Sequence, residues 1–293
     1  MINLEEIRTI VIASLFSDSK LMEIWSLKGG NALEIAHKLN SRSSMDVDVS
    51  MDKDFEDYGL TKGDVIERIK NELNINFSEF GYTIFDEKIT PRPGKGDNRP
   101  KYWGGYLLEF KIIETKKFIE NEKNINQLRK EAEIISEKKG KKIKVDISKF
   151  ELTSPSEIVE LDDYLIRVYT PLMIVYEKIR AICQQMEEYR EIMHTSRSPR
   201  ARDFYDIWVV IKELHLREDV VNKKNIYILE EMFKLKDVPL ELLQNIKNQE
   251  IKEFHKNNFI SLKDTIKDSD QLEDFEYYYN YVVELVSEIL KII

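Results

Sequence analysis

The chain has 293 residues, 42% of them hydrophobic and 34% charged, a balance that suits a globular protein of one large domain or two modest ones. A formal net charge of −9 excludes indiscriminate coating of nucleic acid and leaves room only for local basic sites on an acidic body. The single cysteine, Cys183, excludes an intramolecular disulfide framework and fits a reducing cytoplasm, and His37, His194, His215 and His255 are too scattered for zinc-ligand spacing.

The opening MINLEEIRTIVIASLFSD holds a short apolar stretch, but Glu5 and Glu6 stand where a signal peptide carries positive charge, so a core helix is expected. No run approaches the ~18 to 20 apolar residues of a membrane span, and no membrane association is expected. Gly29-Gly30 follows IWSLK and precedes a helix-like stretch bearing Ala32, Leu33, Ala36 and Leu39, which predicts a strand-to-helix turn. Glycines there let backbone approach a phosphate, and helix-start N–H groups favour an anion.

From Ser44 the residues alternate. Ser44, Asp46, Asp48 and Ser50 share one face, and Met45, Val47, Val49 and Met51 the other, the period of a half-buried strand. At ~3.3 Å rise per residue the two aspartate Cα atoms lie roughly 6.6 Å apart, close enough for the carboxylates to oppose each other's ionisation unless a divalent cation intervenes. Oxygen ligands of this kind suit Mg²⁺ held by one or two carboxylates plus substrate phosphates. An isolated Asp-x-Asp is more often a solvated strand face; the upstream glycines shift that balance.

A helix at 62–80, strands at 82–85 and 106–113, and a charged helix at 116–138 are expected next. KKIKVDIS then alternates, with Ile143, Val145 and Ile147 opposite Lys144, Asp146 and Ser148. All ten glycines lie at or before Gly140, so the remainder is expected to be helical. PLMIVYEKIRAICQQMEEYREIM carries a helical apolar stripe at Leu172, Val175, Ile179, Ile182 and Met186. Ser198-Pro199 predicts the N-cap and first residue of a second helix, ARDFYDIWVVIKEL, with Phe204, Ile207, Ile211 and Leu214 inward. Further amphipathic helices follow beyond about Arg217. Strands mixed irregularly with helices indicate an α+β class, a mixed β-sheet core with flanking helices plus a C-terminal helical bundle.

Four blocks, GGNAL, RSSMDVDVSM, EKIRAICQQ and RARDFYDIW, narrow this further. The Gly-Gly turn, helix and Asp-x-Asp strand resemble the nucleotidyltransferase superfamily, and the four blocks match in order and type the AbiEii/AbiGii-type toxin family of abortive-infection and toxin–antitoxin systems, over residues 27 to about 214. The resemblance implies a nucleotidyltransferase domain at 1–215 and a helical domain at 216–293. It also implies a nucleoside triphosphate (NTP) substrate, Mg²⁺ or Mn²⁺, and a genetically linked antitoxin. By position it implies metal binding by Asp46 and Asp48, phosphate contact by Gly29 and Gly30, nucleotide contact by Lys178, and an active-site role for Asp203. In the family the lysine helix often closes its motif with an arginine; Gln185 stands there, and Arg180 or Arg190 is the alternative source of that contact.

Phosphoryl chemistry needs positioning, metal and positive charge more than covalent help, which suits this set. Asp146 is a candidate third carboxylate activating the incoming hydroxyl, with Glu109 as its competitor. Ser44 is a candidate phosphate contact or modification site. The plainer alternatives are a solvated helix lysine for Lys178, and an intrahelical ion-pair cluster of Asp203 and Asp206 with Arg200 and Arg202. Three basic clusters stand out: Arg92, Lys95, Arg99 and Lys101; Lys138, Lys139, Lys141, Lys142 and Lys144; and Arg190, Arg197, Arg200 and Arg202. The first precedes Tyr102 and Trp103, a mixture suited to an unpaired RNA end. The resemblance implies an RNA acceptor, such as the 3′ end of tRNA, which that cluster would suit. The rivals are transfer to a small-molecule or protein hydroxyl, and a nucleotide-binding regulatory protein without turnover.

Overall fold

The computed structural model describes residues 2–39, 46–94, 99–135, 140–194, 196–260, 266 and 272–293. Of the sequence candidates, Ser44, Lys95, Lys138 and Lys139 lie outside the described residues. Two compact units divide the chain, one comprising 1–27, 45–153 and 158–168, the other 28–44, 154–157 and 169–293.

The first unit is built on a seven-stranded mixed sheet. Its strands are β1 (Ser26–Lys28), β2 (Val47–Ser50), β3 (Tyr82–Arg92), β4 (Gly105–Glu114), β5 (Ile143–Ser148), β6 (Ser156–Leu161) and β7 (Tyr164–Tyr169), in the order β3-β4-β5-β2-β1-β7-β6. The β3-β4-β5 part is antiparallel, whereas β2 runs parallel to β5 and β1 parallel to β7. The expected strands at 82–85 and 106–113 are the long arms of one hairpin. The β6–β7 pair was not anticipated.

Leu4–Ser17 is the expected core helix, burying Ile7, Ile10, Val11, Ile12, Leu15 and Phe16. Glu6 closes its first turn: the Asn3 N–H donates to Glu6 Oε2 at 2.7 Å while the Glu6 N–H donates to Asn3 Oδ1 at 2.9 Å. Lys62–Ser78 buries Val65, Ile69, Leu73 and Phe77, and its Asn76 Nδ2 donates to Ser14 Oγ on the first helix at 2.9 Å.

The single charged helix expected at 116–138 is instead two short ones, Thr115–Asn121 and Ile125–Glu131. Asn124 breaks the run by capping the second, its side chain accepting from the Gln127 N–H at 3.1 Å. Asp86, at a bulge in β3, ties that second helix down by accepting from Arg129 at 2.6 and 2.9 Å and from Lys111 at 2.5 Å.

The second unit is helical from Pro171 onward. Pro171–Cys183 has Thr170 as cap and proline in its first turn, and it is buried on nearly every side, so it forms the inside of the bundle. Ala201–Glu213 and Lys223–Lys234 pack on it, and Phe275–Ile289 packs on Ala201–Glu213. The helices Pro171–Cys183, Glu187–Met193 and Ala201–Glu213 fall in the same unit as the C-terminal ones. Buried hydroxyls find carbonyls at helix ends: Tyr176 donates to Val220 O at 2.8 Å and Tyr189 to Lys236 O at 2.7 Å. Among the described residues no helix is long and apolar enough to cross a membrane.

Candidate active site

The two units carry separate groups of candidate residues. In the first, β2 begins at Val47, so Asp46 is exposed just before the strand and Asp48 lies within it, half-buried. Val47 and Val49 face the core beside Val145 and Ile147, all at most 2% exposed, and this burial forces Asp48 to the other face. Asp48 is the register partner of Asp146 on β5. Register partners on parallel strands point the same way, so these carboxylates stand side by side.

Glu109 lies one strand farther, opposite Lys144, and pairs with Lys142 at 3.0 Å. Asp146 is thus the carboxylate beside Asp48. Arg92 ends β3 rather than lying in the following loop, and its guanidinium meets Asp146 Oδ1 at 3.1 Å with both side chains about half exposed. Arg99, Tyr102 and Trp103 are partly exposed and Lys101 is exposed in the β3–β4 connection. Gly104 and Gly105 let that connection close tightly, because a Cβ on Gly104 would overlap the Arg92 carbonyl and one on Gly105 the Ile147 carbonyl.

The metal implied for such a site fits this donor set in part. No group of three or more His, Cys, Asp and Glu side chains able to hold an ion is found among the described residues. Two adjacent carboxylates are nonetheless donors of the type that suits Mg²⁺ when substrate phosphates and water complete its shell.

In the second unit the Gly-Gly turn forms as expected. Lys28 is extended, Gly29 adopts φ +68°, and a helical turn at Gly29–Asn31 continues into a π-helical turn at Ala32–Ala36. The left-handed Gly29 is a conformation a residue with a Cβ rarely adopts.

Lys178 is 5% exposed, not a solvated helix lysine. Its ammonium meets Asp203 Oδ1 at 2.9 Å and Asp206 Oδ2 at 2.6 Å. Arg200 approaches Asp203 Oδ2 at 3.5 Å, so a second cation faces this carboxylate. The expected intrahelical pairing therefore exists but is secondary to Lys178. Asp206, which the motif had not placed in the site, is fully buried against the same ammonium. Its i, i+3 spacing from Asp203 was the available signal.

The helix bearing Asp203 begins at Ala201 with Arg200 at the N-cap, two residues later than Ser198-Pro199 predicted. Ser198 instead donates its N–H to Gln185 Oε1 at 2.7 Å. Neither candidate for the missing motif arginine sits at Gln185: Arg180 is buried and donates to Met232 O at 3.2 Å, and Arg190 pairs with Glu187 at 2.8 Å. Arg197 comes there, its Nε donating to Gln185 O at 2.6 Å over the ring of Phe254.

A family model described as "Nucleotidyl transferase AbiEii toxin, Type IV TA system" matches residues 10–281. No curated protein matches the sequence. Among solved structures, the chain is similar to JHP933 from Helicobacter pylori at 16% identity and TM-score 0.47, covering 99% of this chain and 91% of that one. It is also similar to MenT4, a nucleotidyltransferase toxin from Mycobacterium tuberculosis, at 13% identity and TM-score 0.45, covering 98% and 82%.

Proposed function

The chain belongs to the AbiEii nucleotidyl transferase toxin family of type IV toxin–antitoxin systems, and from that premise we propose that it transfers a nucleotide from an NTP to an RNA acceptor, with tRNA the favoured case, in a reaction requiring Mg²⁺ or Mn²⁺. The observation that carries the proposal is the register pairing of Asp48 with Asp146. Asp46 and Asp48 would hold the cation, with Asp146 beside Asp48. Bound there, it would supply positive charge against the carboxylates and the triphosphate oxygens.

Asp146 accepts the proton of the acceptor hydroxyl. The acceptor oxygen bonds to the α-phosphorus, the bond from that phosphorus to the bridging oxygen breaks, and pyrophosphate leaves. The Gly29-Gly30 turn offers backbone N–H groups to phosphate oxygens, with Ser44 as a further phosphate contact. Lys178 supplies positive charge for the triphosphate from a position fixed by Asp203 and Asp206, so little side-chain freedom is lost on binding. Asp203 acts in the site as the anchor of that lysine.

The RNA acceptor is supported by the partly exposed Arg99, Tyr102 and Trp103 with exposed Lys101, cations and rings able to hold an unpaired end. Arg92 and Lys95 complete that basic group. The cytoplasm is the proposed compartment, and the antitoxin is the genetically linked partner. Incubation with each α-labelled NTP, Mg²⁺ and total RNA tests the acceptor. Label should enter RNA and disappear with EDTA; label entering only protein or small molecules overturns the RNA assignment.

A further inference from the structure

The first turn of Ala201–Glu213 has no cap of its own. Arg200, at the N-cap, makes no side-chain cap hydrogen bond, although the first N–H groups of a helix need acceptors from outside it. They find them at the end of the Gln249–Lys256 helix: the Arg200 N–H donates to Nδ1 of His255 at 2.9 Å, and the Ala201 N–H to Oδ1 of Asn258 at 3.1 Å. Asn258 Nδ2 returns a bond to Pro199 O at 3.0 Å.

His255 is fully buried, its ring centroid 5.3 Å from that of Phe204 and 5.2 Å from that of Phe254. Because Nδ1 accepts from a backbone N–H, the ring proton belongs on Nε2. Burial keeps the imidazole neutral, pushing its pKa down to about 4; the nearby Asp203 opposes this and Arg200 and Arg197 reinforce it. A neutral ring is what the contact requires, since an imidazolium has no acceptor nitrogen.

Asp203 hangs from this turn. Its N–H donates to Arg200 O at 2.9 Å, and its carboxylate reaches Lys178 at 2.9 Å. Displacing the Arg200 backbone therefore displaces Asp203. We propose that His255 is a positioning residue for the Lys178–Asp203 pair, acting through the backbone of Arg200. The inference rests on the reading that Lys178 and Asp203 belong to the nucleotide site.

Two polar substitutions separate this role from simple packing. In His255→Asn the side-chain oxygen can take the place of Nδ1; in His255→Gln the amide reaches the Nε2 place and leaves the Arg200 N–H without its acceptor. At a temperature where both are folded, kcat of His255→Gln should fall about 10- to 100-fold, the order expected of a small misplacement of catalytic groups, and His255→Asn should restore most of it. In an Asp203→Asn background His255→Gln should remove little further activity while still lowering the unfolding temperature. Equal kcat in the two single variants, or a full additional loss in the Asp203→Asn background, overturns the proposal. Should neither variant fold, amide hydrogen exchange of the Arg200 N–H in the wild type decides: protection that rises when NTP binds upholds the proposal, and exchange at the rate of an unprotected amide, or protection that NTP leaves unchanged, overturns it. Wild-type kcat in Asp203→Asn alone would instead defeat the site reading. An inactive Asp203→Asn beside a fully active His255→Gln would defeat only the inference.

Discussion

Lys178 and Asp206 lie 2.6 Å apart with side chains 6% and 0% exposed, so a residue chosen for its nucleotide chemistry is also part of the folded interior. Removing one partner of a buried pair leaves an uncompensated charge and typically costs about 3–5 kcal/mol. Lys178→Met should therefore lower unfolding free energy by an amount of that order, measured by urea denaturation, because it takes the shared ammonium from Asp203 and Asp206. Its loss of nucleotide binding is meaningful only at a denaturant-free temperature well below its unfolding midpoint.

Asp48 and Asp146 are half-buried on a sheet face and carry no comparable share of the core. Asp48→Ala and Asp146→Ala should keep the wild-type unfolding temperature to within a few degrees and lower the transfer rate by on the order of 10²- to 10⁴-fold, several kcal/mol of charge stabilisation. Calorimetry with Mn²⁺ and NTP should show the coupled binding weakened in Asp48→Ala. Equal NTP affinity with and without EDTA in the wild type would sink the metal role.

The faces of Asp48 and Asp146 were legible in the alternating patterns around them, since period 2 fixes which side chains share a face, although the strand of Asp48 begins at Val47 and leaves Asp46 before it. That Asp48 and Asp146 are register partners was not, because pairing between distant strands follows from the buried Val47, Val49, Val145 and Ile147 acting together. The β6–β7 hairpin escaped for a local reason. Asp162 and Asp163 both take left-handed φ, 45° and 68°, the work usually marked by Asn-Gly or Asp-Gly, and a pair of aspartates signals it weakly. The start of the Asp203 helix was misplaced because its cap comes from His255 and Asn258, far along the chain, where Ser198-Pro199 offered a plausible local one.

Gly105 brings β4 within backbone contact of β5 at the strand carrying Asp146. Gly105→Ala should cost about 1–3 kcal/mol, as overpacking does, and loosen Mn²⁺ binding by shifting Asp146. Thermal denaturation and Mn²⁺ titration check the two effects; an unchanged unfolding temperature would show that β4 yields without strain.

Asp86 has a carboxyl held far below the usual range, first by its hydrogen bond from Arg129 and, against a burial penalty, by Lys111. A lowered folded pKa means stability present above the unfolded value, near 3.8, and lost as pH falls toward the folded one. The stability gap between wild type and Asp86→Asn should be full at pH 7 and shrink only below about pH 4, followed by unfolding temperature across that range. A gap that closes by pH 6 would contradict the assignment.

Neutralising Arg99 and Lys101 together should weaken RNA binding and reduce its salt slope by about two phosphate contacts, while NTP affinity stays unchanged. Filter binding at several salt concentrations reads both. Loss of NTP affinity would move these residues to the nucleotide site.

The central claim is nucleotidyl transfer at a site built on Asp48, and the most direct measurement compares acceptor labelling from α-labelled and γ-labelled NTP by wild type and Asp48→Asn. The account predicts that α-label enters the RNA acceptor in the wild type, that γ-label does not, and that Asp48→Asn transfers neither at more than about one hundredth of the wild-type rate. Transfer of γ-label, or full α-label transfer by a folded Asp48→Asn, would contradict it.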